Sequence, residues 1–357
     1  MMLDLPKLLL INGAQFGYSA GHYHYCKYLK DVFDIHYICY DRNLPKLELL
    51  HVNVTYIPFE VSKTKRLFSF IKTAIKISHV TKPDVLFIVY FNACFLLNWF
   101  CKGKKKVLDI RTGSLHSSIL IRTASNFLIT LQSLFFKKII ILSESLRIKL
   151  FIPFRKTLIL PLGAEISFRG EHDYNNLRLL YIGTLDGREI DKTILGLSIY
   201  LKKFPEKKSE TTYTIIGFGS ESEILKINET IADTNLVGVV KYLGRKNYSE
   251  LESYFENTNV GVSFVPITEF YNSQPPTKTF EYVLNGLFTI ATGTSENKLL
   301  INETNGLICN DNENSFANSL ESYQLVKHKL NSDSIRATLA PFEWSLLVKT
   351  KLIPFIK

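Results

Sequence analysis

The chain reads as α/β, two doubly wound domains facing each other across a cleft, each a parallel sheet with helices on both faces. Three observations predict this. Short β-branched apolar runs alternate with amphipathic stretches from end to end, the pattern of strand-helix units that feed parallel sheets. At 357 residues the chain exceeds the size at which one hydrophobic core keeps growing. The alternation pauses once, over residues 163–176, where glycine, charge and asparagine replace apolar periodicity. Residues 1–165 are therefore assigned to a first domain and 166–335 to a second, while 336–357 form a terminal helix that need not belong to the second sheet.

Seven candidate strands fill the first half, at residues 8–11, 35–39, 54–58, 85–90, 107–110, 139–142 and 158–160, each rich in Leu, Ile, Val or aromatic residues. The first runs into residues 12–22, where Gly13, Gly17 and Gly21 flank Phe16 ahead of an amphipathic helix. A long, pliable loop at the carboxyl edge of a sheet is a place for an acceptor or a phosphate; its rival is a mere connection. Between the third and fourth strands Lys63, Lys65, Arg66, Lys72 and Lys76 punctuate Leu67, Phe68, Phe70, Ile71, Ala74, Ile75 and Ile77. This is a basic helix with one apolar side, fit either to pack on a core or to lie on anionic lipid headgroups. Residues 85–101 are apolar but short for a bilayer span, and Asn92 and Asn98 interrupt them, so a strand followed by a short buried helix is preferred. After the fifth strand, Arg111 and His116 leave a strand end and are placed toward the cleft.

Six further strands are expected in the second half, at residues 179–182, 213–216, 239–243, 260–265, 288–291 and 306–309. The first passes through Gly183 and Gly187 into a helix near Arg188, a strand-turn-helix geometry in which backbone and guanidinium can meet phosphate oxygens. Gly217 and Gly219 after the next strand lack a third glycine, and the acidic Glu221 is a poor neighbour for a pyrophosphate. The most informative stretch begins at Ser273. Pro275 and Pro276 stop what precedes them, Lys278 and Glu281 fall three apart in the first turns of a helix, and Gly286 ends it before an apolar strand. A cation and a carboxylate thus project from a helix N-terminus, which itself favours anions. That chemistry suits a nucleotide diphosphate, with Lys278 on the phosphates and Glu281 on ribose hydroxyls; the rival is a solvated surface pair.

The composition, 46% hydrophobic and 21% charged, is that of a folded globular protein. Five cysteines without a CxxC pair argue against disulfides or a zinc cluster and for a reducing compartment. The first residues lack the basic-then-apolar pattern of a secretory signal, so cytoplasmic residence is expected. A net charge of +10 asks for an anionic partner. No recognition motif or repeat supports nucleic acid. Asp-x-Asp, HExxH, GxxxxGK[ST] and GxSxG are all absent, which removes the usual signatures of metal-held phosphates, zinc proteolysis, ATP hydrolysis and serine esterases.

Taken together, the chain resembles retaining glycosyltransferases with two Rossmann-like domains, the GT-B type, in the family 4-like group that contains bacterial capsule and lipopolysaccharide enzymes. The likeness spans nearly the whole chain. It rests on the N-terminal strand and glycine loop, Ile141-Leu-Ser-Glu-Ser-Leu146, Leu160-Pro-Leu-Gly-Ala-Glu165, Tyr181-Ile-Gly-Thr-Leu185, Ile216-Gly-Phe-Gly219, Tyr242-Leu-Gly-Arg245 and, most specifically, Pro276-Thr-Lys-Thr-Phe-Glu-Tyr-Val-Leu-Asn-Gly286. It implies a nucleotide-sugar donor on the second domain, a glycan or polyprenyl-linked acceptor on the first, and no metal or cofactor. By the same likeness Glu281 holds the ribose, and Lys278 and Arg188 lie near the diphosphate, with His116 the third candidate catalytic residue. Gly183, Thr184, Lys192, Gly217, Tyr242, Leu243, Gly244, Thr277 and Thr279 complete the donor site, while Gly13, Phe16, Gly17, Gly21 and Arg111 serve the acceptor. The helix around Trp344 looks like one that returns to the first domain. Two departures stand out: Ser273 occupies the place of the family's first glutamate, and the Arg…Lys pair after the first glycine is reduced to Thr184 and Arg188.

The expected activity is transfer of a sugar, with retention, in surface polysaccharide synthesis, at the inner face of the plasma membrane if the basic helix binds lipid. The alternatives are a sugar-nucleotide epimerase on the same scaffold, marked by conversion of the donor without acceptor, and a non-catalytic protein of anionic membrane surfaces.

Overall fold

The structure, a computed structural model, describes residues 5–114, 116, 118–246, 250–272, 274 and 277–357. Ser273, Pro275 and Pro276 lie outside the described residues. By their contacts the residues fall into two units, one running to Leu162 and including Trp344–Lys357, the other Gly163–Glu343.

The first unit holds β1 (Lys7–Ile11), β2 (Asp34–Asp41), β3 (Val52–Pro58), β4 (Val85–Val89), β5 (Lys105–Ile110), β6 (Lys138–Ile141) and β7 (Thr157–Ile159). All pair in parallel, in the order β3-β2-β1-β4-β5-β6-β7. The strands read as unbroken apolar runs because both faces of the sheet are covered. Leu8 and Leu10 of β1 enter one core cluster with Ile35, Tyr37, Val85 and Phe87, whereas Leu9 and Ile11 enter the opposite one with Ile38, Leu86 and Ile88. The order reverses between β1 and β4, so the crevice available to a ligand lies outside the carboxyl ends of those two strands.

The basic stretch forms the helix Lys63–Thr81, whose stripe Phe70, Ala74 and Ser78 is buried against the sheet. Of its two readings, core packing is the one its apolar side follows. Residues 85–101 divide into β4 and the helix Phe95–Phe100, and among the described residues no helix is long and apolar enough to cross a membrane. The final segment runs through the helix Trp344–Leu347, a wide π turn Val348–Leu352 just before Pro354, which has no N–H to give, and the helix Ile353–Ile356. Trp344, Leu347, Val348, Leu352 and Ile356 all enter the core of the first unit, and Trp344 stacks on His24 with ring centroids 5.4 Å apart.

The second unit holds β8 (Leu177–Thr184), β9 (Thr211–Phe218), β10 (Val240–Tyr242), β11 (Val260–Ser263), β12 (Phe288–Thr292) and β13 (Gly306–Cys309), again all parallel, in the order β10-β9-β8-β11-β12-β13. Here the reversal falls between β8 and β11. The five cysteines are buried free thiols.

Candidate functional site

At the switch point of the second unit three strand ends are drawn together by glycine. Gly217 of β9 pairs with Gly183 of β8, and a Cβ on Gly217 would stand 1.8 Å from the Gly183 carbonyl oxygen. No other residue fits that approach. The Gly217 N–H donates to the Gly244 carbonyl at 2.9 Å, and the Tyr242 hydroxyl donates to the Gly217 carbonyl at 3.2 Å. The Leu243 N–H donates to Ile215 at 2.9 Å, leaving the Leu243 side chain at the surface. Tyr242, Leu243 and Gly244 thus line the rim beyond Gly217 as one continuous edge.

Above this edge sits the helix Thr277–Leu284. Its phase is set by burial: Thr279, Phe280, Tyr282, Val283 and Leu284 face the sheet, which leaves Lys278 and Glu281 together on the other side. Tyr282 fixes the height. Its hydroxyl accepts from the Ile182 N–H of β8 at 2.8 Å, and its ring lies over Gly261 of β11, where a Cβ would be 2.3 Å from the ring. Gly286, at φ 83°, closes the helix, with its N–H on Val283 and the Leu287 N–H on Tyr282, the paired bonds of a Schellman end. Buried Asn285 ties this end to the incoming chain, accepting from Ser167 and Phe168 N–H groups at 2.7 and 2.9 Å.

The consequence is the position of Lys278. A Cβ on Gly183 would fall 2.2 Å from Lys278 Cε and 2.5 Å from Nζ, so the ammonium rests directly over the end of β8. It also lies 5.4 Å from the Tyr181 ring centroid. Burial, and then the nearby charge of Arg188, push Lys278 down to about 8, with Glu281 opposing; part of its side chain nonetheless reaches the surface. Burial raises Glu281 above the usual carboxylate range, against the pull of Lys278. Arg188 stacks its guanidinium on Tyr271 at 4.3 Å, and its buried Nε and Nη1 have no hydrogen-bond partner among the described residues. Two cations therefore converge at a strand end beside the first turn of a helix, an arrangement that favours an anion.

Other candidates stand differently. Thr184 ends β8, and its carbonyl accepts from the Tyr181 hydroxyl. Arg188 precedes the helix Asp191–Lys203 by a turn and does not begin it, its N–H held by Leu185. Lys192 is bound to Glu189 at 2.7 Å and to the Asp311 carbonyl at 3.1 Å, so its charge is already matched. Thr277 opens its helix exposed to solvent. Thr279 is fully buried, its hydroxyl shared with Ser263 at 2.8 Å and Asn297 at 2.7 Å.

In the first unit the loop after β1 is pinned where a pliable one was expected. Fully buried Gln15 accepts from the Arg42 N–H at 2.7 Å and donates to the Leu44 carbonyl at 2.7 Å, and a Cβ on Gly17, at φ 89°, would strike Leu47 at 2.4 Å. Phe16 is fully buried in the core, ringed by Tyr23 and Tyr37. A Cβ on Gly13 would meet Tyr40 at an ordinary 3.4 Å, and one on Gly21, inside the helix Ala20–Leu29, would meet Arg111 and Trp344 at 3.6 Å. Exposed His116 spends Nδ1 on the Ser118 N–H at 3.1 Å, a local turn bond.

A second polar cluster sits beside this loop. Buried His22 places Nε2 2.7 Å from Oδ2 of fully buried Asp109 and Nδ1 2.6 Å from the Ser19 hydroxyl. In the tautomer whose Nε2–H donates to Asp109, Nδ1 is left to accept from the Ser19 hydroxyl. Such a hydroxyl-imidazole-carboxylate chain can relay a proton. Arg111 flanks it, donating to the Tyr25 hydroxyl at 2.9 Å and the Leu160 carbonyl at 3.3 Å, 3.7 Å from Asp109.

No family model matches the chain, and no curated protein does. Solved structures do. A glycosyltransferase from Rickettsia africae superposes with a TM-score of 0.71 at 13% identity, over 99% of this chain and 98% of its own. Sucrose-phosphate synthase from Thermosynechococcus elongatus gives 0.68 at 17% identity, over 96% of each chain. HepE of Anabaena, solved with UDP and separately with UDP-glucose, gives 0.67 in the UDP complex at 13% identity, over 96% of this chain and 97% of its own. The chain has the GT-B fold.

Within this GT-B chain, Tyr271, which carries Arg188, and the Ser19–His22–Asp109 chain, whose ends lie in separate segments of the first half, have little or no signal in the sequence. The only signal for the latter was that His22 and Asp109 each follow or end a strand at the carboxyl edge of one sheet.

Proposed function

We propose that the chain is a glycosyltransferase that takes a nucleotide-sugar on its second unit and moves the sugar to a glycan or polyprenyl-linked acceptor, with retention and without a metal ion, in surface polysaccharide synthesis. One observation carries the reading: Lys278 over Gly183, with stacked Arg188 beside it, puts two cations at the switch point of a GT-B sheet. In this reading the cations and the amides of helix Thr277–Leu284 hold the diphosphate, and Glu281 accepts from ribose hydroxyls. As the bond from sugar to phosphate breaks, negative charge grows on the departing diphosphate. Lys278 and Arg188 stabilise that charge, and the departing oxygen takes the acceptor's proton on the same face of the sugar.

Thermal-shift screening with UDP, GDP, CMP and dTDP tests the donor assignment. At least one diphosphate is expected to raise the melting temperature, since a ligand at about 100 times its Kd adds about 2.7 kcal/mol. A flat response to all four would remove the reading.

The state of Lys278 adds a pH dependence. Charged below about 8 and neutral above it, the side chain grips phosphate only on the acid side. Affinity for the stabilising diphosphate is expected to fall as the pH rises from 7 to 9.5, measured by titration; Lys278→Arg, ionised throughout, flattens that fall.

A further inference from the structure

We propose that one face of the first unit docks on an anionic lipid bilayer through the region from Trp99 to Phe154, and that the basic helix Lys63–Thr81 is not the part that inserts. The inference stands on this surface alone and does not depend on the sugar-transfer reading.

Two independent observations meet here. The first is apolar exposure. Among the described residues, thirteen large hydrophobic side chains between Trp99 and Phe154 are exposed, with Phe151 at 84% and Leu120 at 79%. A monomer does not leave so many together without a use for them. They form one band. Phe95, Trp99 and Phe135 touch ring to ring at 5.1–5.5 Å, and the Asn98 side chain donates to the Phe135 carbonyl. The helix Ile119–Ser133 is joined to the next loop where Thr130 donates to the Leu150 carbonyl at 2.7 Å, and Arg147 lies 5.7 Å from the Phe154 ring. Phe151 holds φ at 50°, a conformation an aromatic residue rarely adopts, with its side chain turned out to solvent.

The second observation is charge. Residues 85–162 carry twelve Lys and Arg against only Asp109 and Glu144, a surplus equal to the +10 of the whole chain; the remaining residues are balanced. Asp109 is buried close to Arg111, and Glu144 is paired with Arg147, so each acid is matched by one of the twelve cations and the other ten remain. Lys102, Lys137, Lys149 and Arg155 are exposed around the apolar band. Aromatic and aliphatic side chains in the middle with lysine and arginine around them match a bilayer interface, where the rings enter the headgroup region and the cations meet lipid phosphates. A protein partner of ordinary composition offers no comparable excess of negative charge, whereas an anionic leaflet does.

The test is sedimentation of the full chain with vesicles of phosphatidylcholine alone and of phosphatidylcholine with phosphatidylglycerol. Binding is expected only to the anionic vesicles, and it weakens as salt is raised toward about 0.5 M. The pair Phe151→Ser with Phe154→Ser, and separately Lys149→Glu with Arg155→Glu, should each lower partitioning about tenfold or more while the melting temperature stays at the wild-type value, all four residues being exposed. Lys65→Glu with Lys72→Glu, on the basic helix, should change it by less than about threefold. Absence of vesicle binding, equal binding to both vesicle types, or loss of binding only in the basic-helix pair would overturn the proposal. So would a dimer in light scattering that the phenylalanine pair converts to monomer, for the face would then belong to a second copy.

Discussion

Lys278→Ala and Arg188→Ala each lower turnover by roughly 30- to 1,000-fold, about 2–4 kcal/mol of transition-state stabilisation, the range for a single preorganised donor to a developing charge. The reason is local. Lys278 is held over Gly183 by a helix whose height Tyr282 sets, and Arg188 is propped on Tyr271, so neither cation needs to reorganise when a leaving group becomes charged. The same burial has a cost that runs in the opposite direction in the free protein. With the folded value near 8 and the unfolded one about 10.4, the folded state binds fewer protons between them. Stability therefore rises with pH across that window, and the full cost of the charge is present below it. Lys278→Met should accordingly raise the melting temperature of the unliganded protein at pH 7 by on the order of 2–4 °C, as about 1 kcal/mol does for a unit of this size, while turnover collapses. Release of nucleoside diphosphate reads the first effect and a circular dichroism melt the second. Near-normal turnover in both alanine variants would remove Lys278 and Arg188 from the site.

Gly217→Ala is the second large effect, and it acts on the scaffold. The new methyl carbon would sit 1.8 Å from the Gly183 oxygen and 2.9 Å from its carbonyl carbon, both backbone atoms of a central strand that cannot swing aside. Parting β8 from β9 is the only relief, at a cost of about 3 kcal/mol, or a fall of on the order of 10 °C in the melting temperature. Gly244→Ala is the control: at φ 67° with nothing within 4 Å, it meets only the left-handed backbone penalty of about 1 kcal/mol. Equal melts for the two variants would show that the strand ends are looser than described.

The elements were legible because parallel strands covered on both faces must be apolar throughout. Each of the strands among the described residues overlaps one of the expected runs. What one sequence could not give was the meeting of distant segments. Lys278 and Gly183 lie in different strand-helix units, and only the strand order brings them together. The Ser19–His22–Asp109 chain is hidden for the same reason. Thr279 looks like a ligand residue beside Lys278, yet the helical phase that exposes Lys278 and Glu281 turns Thr279 inward to Asn297. The basic helix showed a side for lipid or core with equal clarity; in the structure Phe70 and Ala74 lie against the sheet while Phe68 stays exposed.

Calorimetric titration of the stabilising nucleoside diphosphate into the wild-type protein and the Lys278→Ala, Arg188→Ala double variant, at pH 7, bears most directly on the central claim. One site per chain, weakened at least about 100-fold in the double variant, is the predicted result. Equal affinity in the two proteins would contradict it.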